Sequence, residues 1–273
     1  MEDLDQLRQL RGAIDRIDGK LMDLLNERAR LAREIGRIKE SAGHPVYVPG
    51  RAEQLLRRLI EKSSGPLNEQ AIRAIYREIM SASLALEKDT VIACEGSVAG
   101  LTHLAAKQQF GSSVRYTFHI DPAALFEAVA SGAADCGVMA VGGEGPEAAF
   151  LELLGEGRIF LVSQIVLGGE DGGTSSRYLV LGPTMNASSG HDQTALLMHL
   201  TDQPGALAAT LEPFRIAGVN VLSIHSRRSG RGGLHLLLEV EGHFQDDSLR
   251  GAVESLKSGG MTPKLCGSYP RCP

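Results

Sequence analysis

The chain has 273 residues, 43% hydrophobic and 22% charged, with a net charge of −5. That length suits two or three domains, and the acidic balance, with 4% aromatic residues and no Trp, lacks the basic footprint and stacking platforms of a nucleic-acid binder. No apolar run is long enough to span a bilayer, and the acidic, amphipathic start "MEDLDQLRQL" is unlike a signal peptide, so a cytoplasmic address is expected.

The first segment reads as all helix. Leu7, Leu10, Ile14, Ile17, Leu21, Leu24, Leu31, Ile35 and Ile38 keep alternating steps of three and four, and the pattern predicts one unbroken helix from about Leu4 to Ala42, stopped at "AGHP". At 1.5 Å per residue such a helix is roughly 55 Å long. Two short helices from the same chain cannot cover that seam, so dimerisation through it is expected. A second helix follows "YVPGR", with Leu55, Leu56, Leu59 and Ile60 on one face. A third runs from an Asn68 N-cap to about Leu86, with Ile72, Ile75, Ile79 and Ser83 in its stripe.

Beyond residue 90 the texture changes. Short apolar runs at 91–94, 136–141, 159–167 and 178–181 alternate with helical stretches such as 123–131, which predicts a small α/β unit. "TMNASSGHDQ" reads as a linker. After it, strands at 194–200, 219–226, 234–240 and 262–266, with helices at 205–217 and 248–257, give a ferredoxin-like βαββαβ order. Cys94, Cys136, Cys266 and Cys272 form no C-x-x-C pair and are expected to be reduced thiols.

One position of the first helix's seam holds Arg28. A guanidinium there is costly unless paired, and an interhelical salt bridge or a register-setting polar residue would account for it alone. Lys39, eleven residues on, points within about 20° of Arg28 and lies roughly 16 Å along the axis, so the two cations can grip one small anion. Arg51, opening the next helix, can fold over the same gap. Arg11 lies about 25 Å upstream of Arg28 on another face and can reach that anion only from a second chain. Ser83 and Glu87, at i and i+4, add a hydroxyl and a carboxyl group, although packing and surface charge are their ordinary roles.

Through "LRGAIDRIDGKLMDLLNERARLAREIGRIK", "PVYVPGRAEQLLRRL" and "AIYREIMSASLALE", residues 4–88 resemble the all-helical chorismate mutases. The resemblance implies an intertwined dimer of three-helix chains. Arg28 and the partner's Arg11 would hold the substrate carboxylates, Lys39 and Glu87 would flank the ether oxygen, and Ser83 and Arg51 would complete the polar shell. The Claisen rearrangement of chorismate to prephenate needs no nucleophile, metal or organic cofactor, so none is expected. Many relatives have Gln where Glu87 stands. Val48 and Ala52 depart from the pattern, standing where some relatives have Asp and most have Glu.

Residues 91–182 resemble a prephenate dehydratase in outline, through "VIACEGSVAGLTHLAAKQQFG", "DPAALFEAVASGAADCGVMAV" and "TSSRYLVLG". "AVGGEG" lacks the family's Glu-Asn pair, and Ser176 replaces the Thr before Arg177. The region is about half the family's length, leaving most of a second lobe without sequence. Thr102, His103, Thr174 and Ser176 could line a remnant pocket, but ordinary loop and helix-end roles account for them, and dehydratase activity is not expected. The last segment resembles an ACT domain of the phenylalanine-responsive kind through "DQPGALAATLEPF" and "VNVLSIHSRRSG". Gly205, Ala206, Leu207, Ser226 and Arg227 would bind the effector, with His225 and Arg228 replacing the family's Glu and Pro.

Together these resemblances identify a multidomain chain of the bifunctional chorismate mutase/prephenate dehydratase family. The expected units are an all-α mutase domain at 1–89, an α/β dehydratase remnant at 90–183 and an α+β ACT domain at 191–273. The expected function is a homodimeric or larger chorismate mutase regulated by an aromatic amino acid, L-Phe ahead of L-Tyr. Retained dehydratase activity and a non-catalytic amino-acid-binding subunit are the alternatives. A related isochorismate pyruvate lyase is disfavoured by the dehydratase-like and ACT segments.

Overall fold

The computed structural model describes residues 2–42, 47–141, 148–168, 176–229 and 232–271. The seam pattern produces α1 (Glu2–Ala42), a single helix of 41 residues. Helix α2 (Pro49–Lys62) opens on a proline, which fits an N-terminal turn whose amides lack intrahelical partners. Helix α3 (Glu69–Glu87) starts where Asn68 accepts a hydrogen bond from the Ala71 amide at 2.8 Å, as the Asn68 cap predicts.

The seam residues of α1 from Leu7 to Ile38 remain 44–67% exposed. The buried face of this helix lies beside that seam. Ala32 and Gly36, both small, are buried between the half-buried Arg28 and Lys39. These four residues span about 80° of the helix circumference. Arg28 therefore borders the apolar seam and faces α3, a distinction that the heptad spacing alone does not make.

The second unit is a five-stranded sheet in the order β2-β1-β3-β5-β4. Its strands are β1 (Val91–Glu95), β2 (Arg115–His119), β3 (Cys136–Val141), β4 (Phe160–Leu167) and β5 (Ser176–Gly182). β1 pairs in parallel with β2 and β3, while β5 runs antiparallel to β3 and β4. Helices α4 (Leu101–Phe110), α5 (Pro122–Ala130) and α6 (Ala148–Leu154) pack around it. Neither β2 nor α6 follows from the sequence pattern. β2, "RYTFH", is an edge strand with no fully buried residue, so it carries little periodic signal.

The third unit runs β6 (Asp192–Leu200), α7 (Ala206–Ile216), β7 (Val221–Arg228), β8 (Leu234–Glu241), α8 (Asp247–Ser258) and β9 (Lys264–Pro270). Its four strands lie in the order β7-β8-β6-β9, with every pair antiparallel. β9 runs further than the expected 262–266 because its final residues pair with the start of β6.

The stretch expected to be a linker is docked. Asn186 Nδ2 donates to the carbonyls of Val162 and Ser268 at 2.7 and 3.1 Å, and buried Asp192 accepts from Ser188 and Ser189. One apolar core continues across it, joining Leu161, Leu179 and Leu181 to Ala195, Leu197, Leu237 and Tyr269. The two sheets are held together by shared burial, the main driving force of folding.

Candidate active site and effector site

Four of the six residues assigned to the helical site meet on the α1–α3 face. Arg28 Nη1 donates to Ser83 Oγ, which in turn donates to the Ile79 carbonyl at 2.8 Å. About three turns further along, Lys39 Nζ lies 2.9 Å from Glu87 Oε2. Both partners of that pair are largely buried, at 22% and 11% side-chain exposure, so solvent screens them less than a surface pair. Gly36 permits the approach: a Cβ there would fall 2.7 Å from both Cα and O of Glu87. The helices can come this close only without a side chain at that position.

Arg11 and Arg51 are exposed and stand apart from this face. Arg51 sits in the first turn of α2, its amide donating to the Val48 carbonyl at 3.2 Å. Glu53, the acid nearest the expected site on α2, is held elsewhere by Arg73 through contacts of 3.2 and 3.3 Å. It is not free to stand in for the acid missing at Ala52.

In the second unit, Thr102 is buried in α4, and His103 Nδ1 accepts from the Ala99 amide at 3.0 Å with its ring against Tyr116 and Phe118. Burial, with Lys107 nearby, lowers the His103 pKa. Thr174 and residues 142–145 of "AVGGEG" lie outside the described residues. Between β3 and β5 the described residues form only α6 and β4, with no second lobe among them. The described cysteines, Cys94, Cys136 and Cys266, are free and buried, and burial pushes the Cys94 and Cys266 thiols up to about 12. None is an activated thiolate at neutral pH.

Arg177 carries the largest departure from sequence reasoning. Its guanidinium leaves the second unit and engages Glu239 of β8, with Nη1–Oε2 at 2.7 Å, while Nε donates to Gln164 Oε1 at 2.8 Å. Ser223 and Tyr269 also donate to Glu239, which is 2% exposed. Burial alone would raise the Glu239 carboxyl, but hydrogen bonds and charge from Arg177 override it and hold the pKa below the usual range. A signal existed in the sequence: Glu239 is one acid inside the apolar run "LHLLLEVE".

The effector motif divides between two elements at one end of the third sheet. Gly205, with φ of +86°, precedes the first turn of α7, and Ser226 and Arg227 lie at the end of edge strand β7. Arg227 and His199 both pair in register with His235 on β8, and β6 ends one residue beyond His199. A five-residue turn, 201–205, then leads into α7, so both halves of the motif share that end. Ala206 is half-buried, Leu207 and Ser226 are exposed, and Arg227 donates to the Ser226 carbonyl at 3.0 Å. His225 points inward, with Nε2 4.0 Å from Glu239 Oε2, and burial lowers its pKa despite that carboxylate.

Comparisons with known proteins cover all three units. A family model described as chorismate mutase type II matches residues 10–88, and one described as an ACT domain matches 194–258. The bifunctional chorismate mutase/prephenate dehydratase of Aquifex aeolicus is 27% identical and aligns over 98% of this chain and 99% of its own. That alignment runs to 357 positions, 84 more than the 273 residues here. Among solved structures, GqqA, described as a novel type of quorum quenching acylase, matches 67% of this chain and 96% of its own at TM-score 0.58 and 25% identity. The prephenate dehydratase of Arthrobacter aurescens in complex with L-Phe matches 67% and 90% at TM-score 0.57 and 16% identity, a likeness of fold. Among the described residues no helix is long and apolar enough to cross a membrane.

Proposed function

The chain belongs to the bifunctional chorismate mutase/prephenate dehydratase family, and from that premise we propose that it rearranges chorismate to prephenate under control of an aromatic amino acid. The observation that carries this reading is the pairing of Lys39 with Glu87 beside that of Arg28 with Ser83 on one buried face.

The reaction is unimolecular. It needs the compact conformer held and the negative charge growing on the breaking ether oxygen stabilised. Arg28 supplies a bidentate cation for one substrate carboxylate, and Arg11 of a second copy supplies the other. Lys39 places a fixed positive charge at the ether oxygen. Glu87 donates to the same oxygen when protonated. Arg51, at the mouth of α2, closes over the ligand, and Ser83 holds Arg28 in place before it arrives.

The second copy is required by α1. Its exposed seam is the face of a helix made to pack against another helix, which supports an intertwined homodimer. We read the units as 1–89, 90–183 and 191–273, the last with a ferredoxin-like fold.

The second unit is assigned no dehydratase activity. Three observations support this: an alignment that runs to 357 positions against the 273 residues here, the missing second lobe among the described residues, and the engagement of Arg177 with Glu239. Fold alone does not decide chemistry, since a quorum quenching acylase shares it. L-Phe is the proposed effector, bound by Gly205, Ala206, Leu207, Ser226 and Arg227, with the amides at the start of α7 receiving its carboxylate.

Incubation of the purified protein with chorismate tests both assignments at once. Prephenate without phenylpyruvate, formed at a rate that L-Phe changes, is the expected result. Phenylpyruvate would restore the dehydratase, and unconverted chorismate would remove the mutase.

A further inference from the structure

Helix α3 is gripped on two opposite sides. Ser83 and Glu87 face α1, whereas Glu78 and Ser81 lie about 120–180° around the helix from them, and Lys88 caps its end. That second side is fixed to the middle unit. Ser81 is 1% exposed, and its Oγ accepts from the Ser113 amide at 3.0 Å. Glu78 Oε2 accepts from the Ser112 amide at 3.0 Å, and Lys88 Nζ lies 2.8 Å from Asp135 Oδ1. Asp135 is itself anchored, accepting from the Val91 amide at 2.9 Å.

The turn that meets Ser81 is built for close contact. Gly111 ends α4 with φ of +72°, and a Cβ there would stand 2.5 Å from Cβ and 2.7 Å from Oγ of Ser81. Tyr116 OH donates to the Gly111 carbonyl at 2.5 Å, tying the turn to β2. Any residue other than glycine would push α3 toward α1 or prise the turn away.

We propose that the 111–113 turn and Asp135 are positioning elements for the mutase pocket, setting how deeply α3 seats against α1. Ser81 lies two residues from Ser83 and six from Glu87 on the same rigid helix. A shift at Ser81 is therefore delivered to the Arg28–Ser83 and Lys39–Glu87 pairs. This inference rests on the mutase reading, and it gives the middle unit work that needs no dehydratase chemistry.

The test uses the full chain carrying Gly111→Ala or Ser81→Ala, each in the parent and in a Glu87→Ala background. Losing one donor to developing charge costs about 10²–10³ in kcat, so the background retains a measurable rate. A 1 Å misplacement can cost about a hundredfold. The expected losses in kcat are about tenfold for Gly111→Ala and about threefold for Ser81→Ala, each smaller once Glu87 is absent, where only the part acting through Arg28 and Ser83 remains. Equal fractional losses in both backgrounds, or a lowered Tm with kcat unchanged, would overturn the inference. If Gly111→Ala does not fold, the milder Ser81→Ala decides by the same comparison. Prephenate formation by the parent with unaltered kcat in both variants overturns the inference alone. No prephenate from the parent overturns the mutase reading and the inference with it.

Discussion

Arg177 of β5 and Glu239 of β8 close a two-pronged ion pair between two sheets, with the Glu239 side chain 3% and the Arg177 side chain 25% exposed. Removing one partner of a buried pair leaves an uncompensated charge, at a cost of about 3–5 kcal/mol. Arg177→Ala should lower unfolding stability by that order in urea titrations, and a double variant with Glu239→Ala should lose less than the sum of the two. The folded Glu239 pKa is depressed, so its contribution is present above the unfolded value of about 4.3 and is lost as pH falls through the folded value. Equal acid sensitivity in parent and Arg177→Ala would refute this role.

His225 acts with the same pH sign through a different cause. Burial lowers its folded pKa, so below about 6.5 the unfolded chain binds the proton more readily. Stability should rise with pH from the depressed folded value up to about 6.5 and then level off. His103 is shifted the same way, so the useful comparison is between parent and His225→Gln. The variant should show a shallower slope between pH 5 and 7.

Gly36 sets the approach of α1 to Glu87. Gly36→Ala should reduce kcat by about tenfold or more, since a displacement near 1 Å can cost a hundredfold. The gain of up to about 1 kcal/mol in helix propensity offsets part of the strain, so stability should fall less than activity. Stopped-flow turnover and thermal unfolding separate the two effects.

Much of this architecture was legible in the sequence because its signals are local. The α1 seam, the Asn68 cap and the strand at 136–141 depend on spacing and turn chemistry, and the structure has them where the pattern puts them. The pairing of Lys39 with Glu87 was reachable because both lie on long helices with fixed periodicity. Long-range contacts were not. Nothing near Arg177 announces a partner 62 residues away, and "TMNASSGHDQ" has a linker's composition while being fastened by Asn186 and Asp192. The edge strand β2 escaped for want of a buried face.

Replacing Glu87 by its amide tests its place in the site. A carboxyl group donates a hydrogen bond only when protonated, whereas an amide always donates. Glu87→Gln should therefore form prephenate at least as fast as the parent, while Glu87→Ala should lose about 10²–10³ in kcat. Equal rates in all three proteins would take Glu87 out of the site.

If the mutase pocket is shared between two copies, two differently damaged proteins should repair each other when mixed. Arg11→Ala and Arg28→Ala should each be nearly inactive alone. Unfolded and refolded together in equal amounts, half of the dimers are mixed, and each mixed dimer rebuilds one intact site. About a quarter of the parent prephenate-forming activity should return. No recovery from two inactive variants, or full activity in either variant alone, would contradict it.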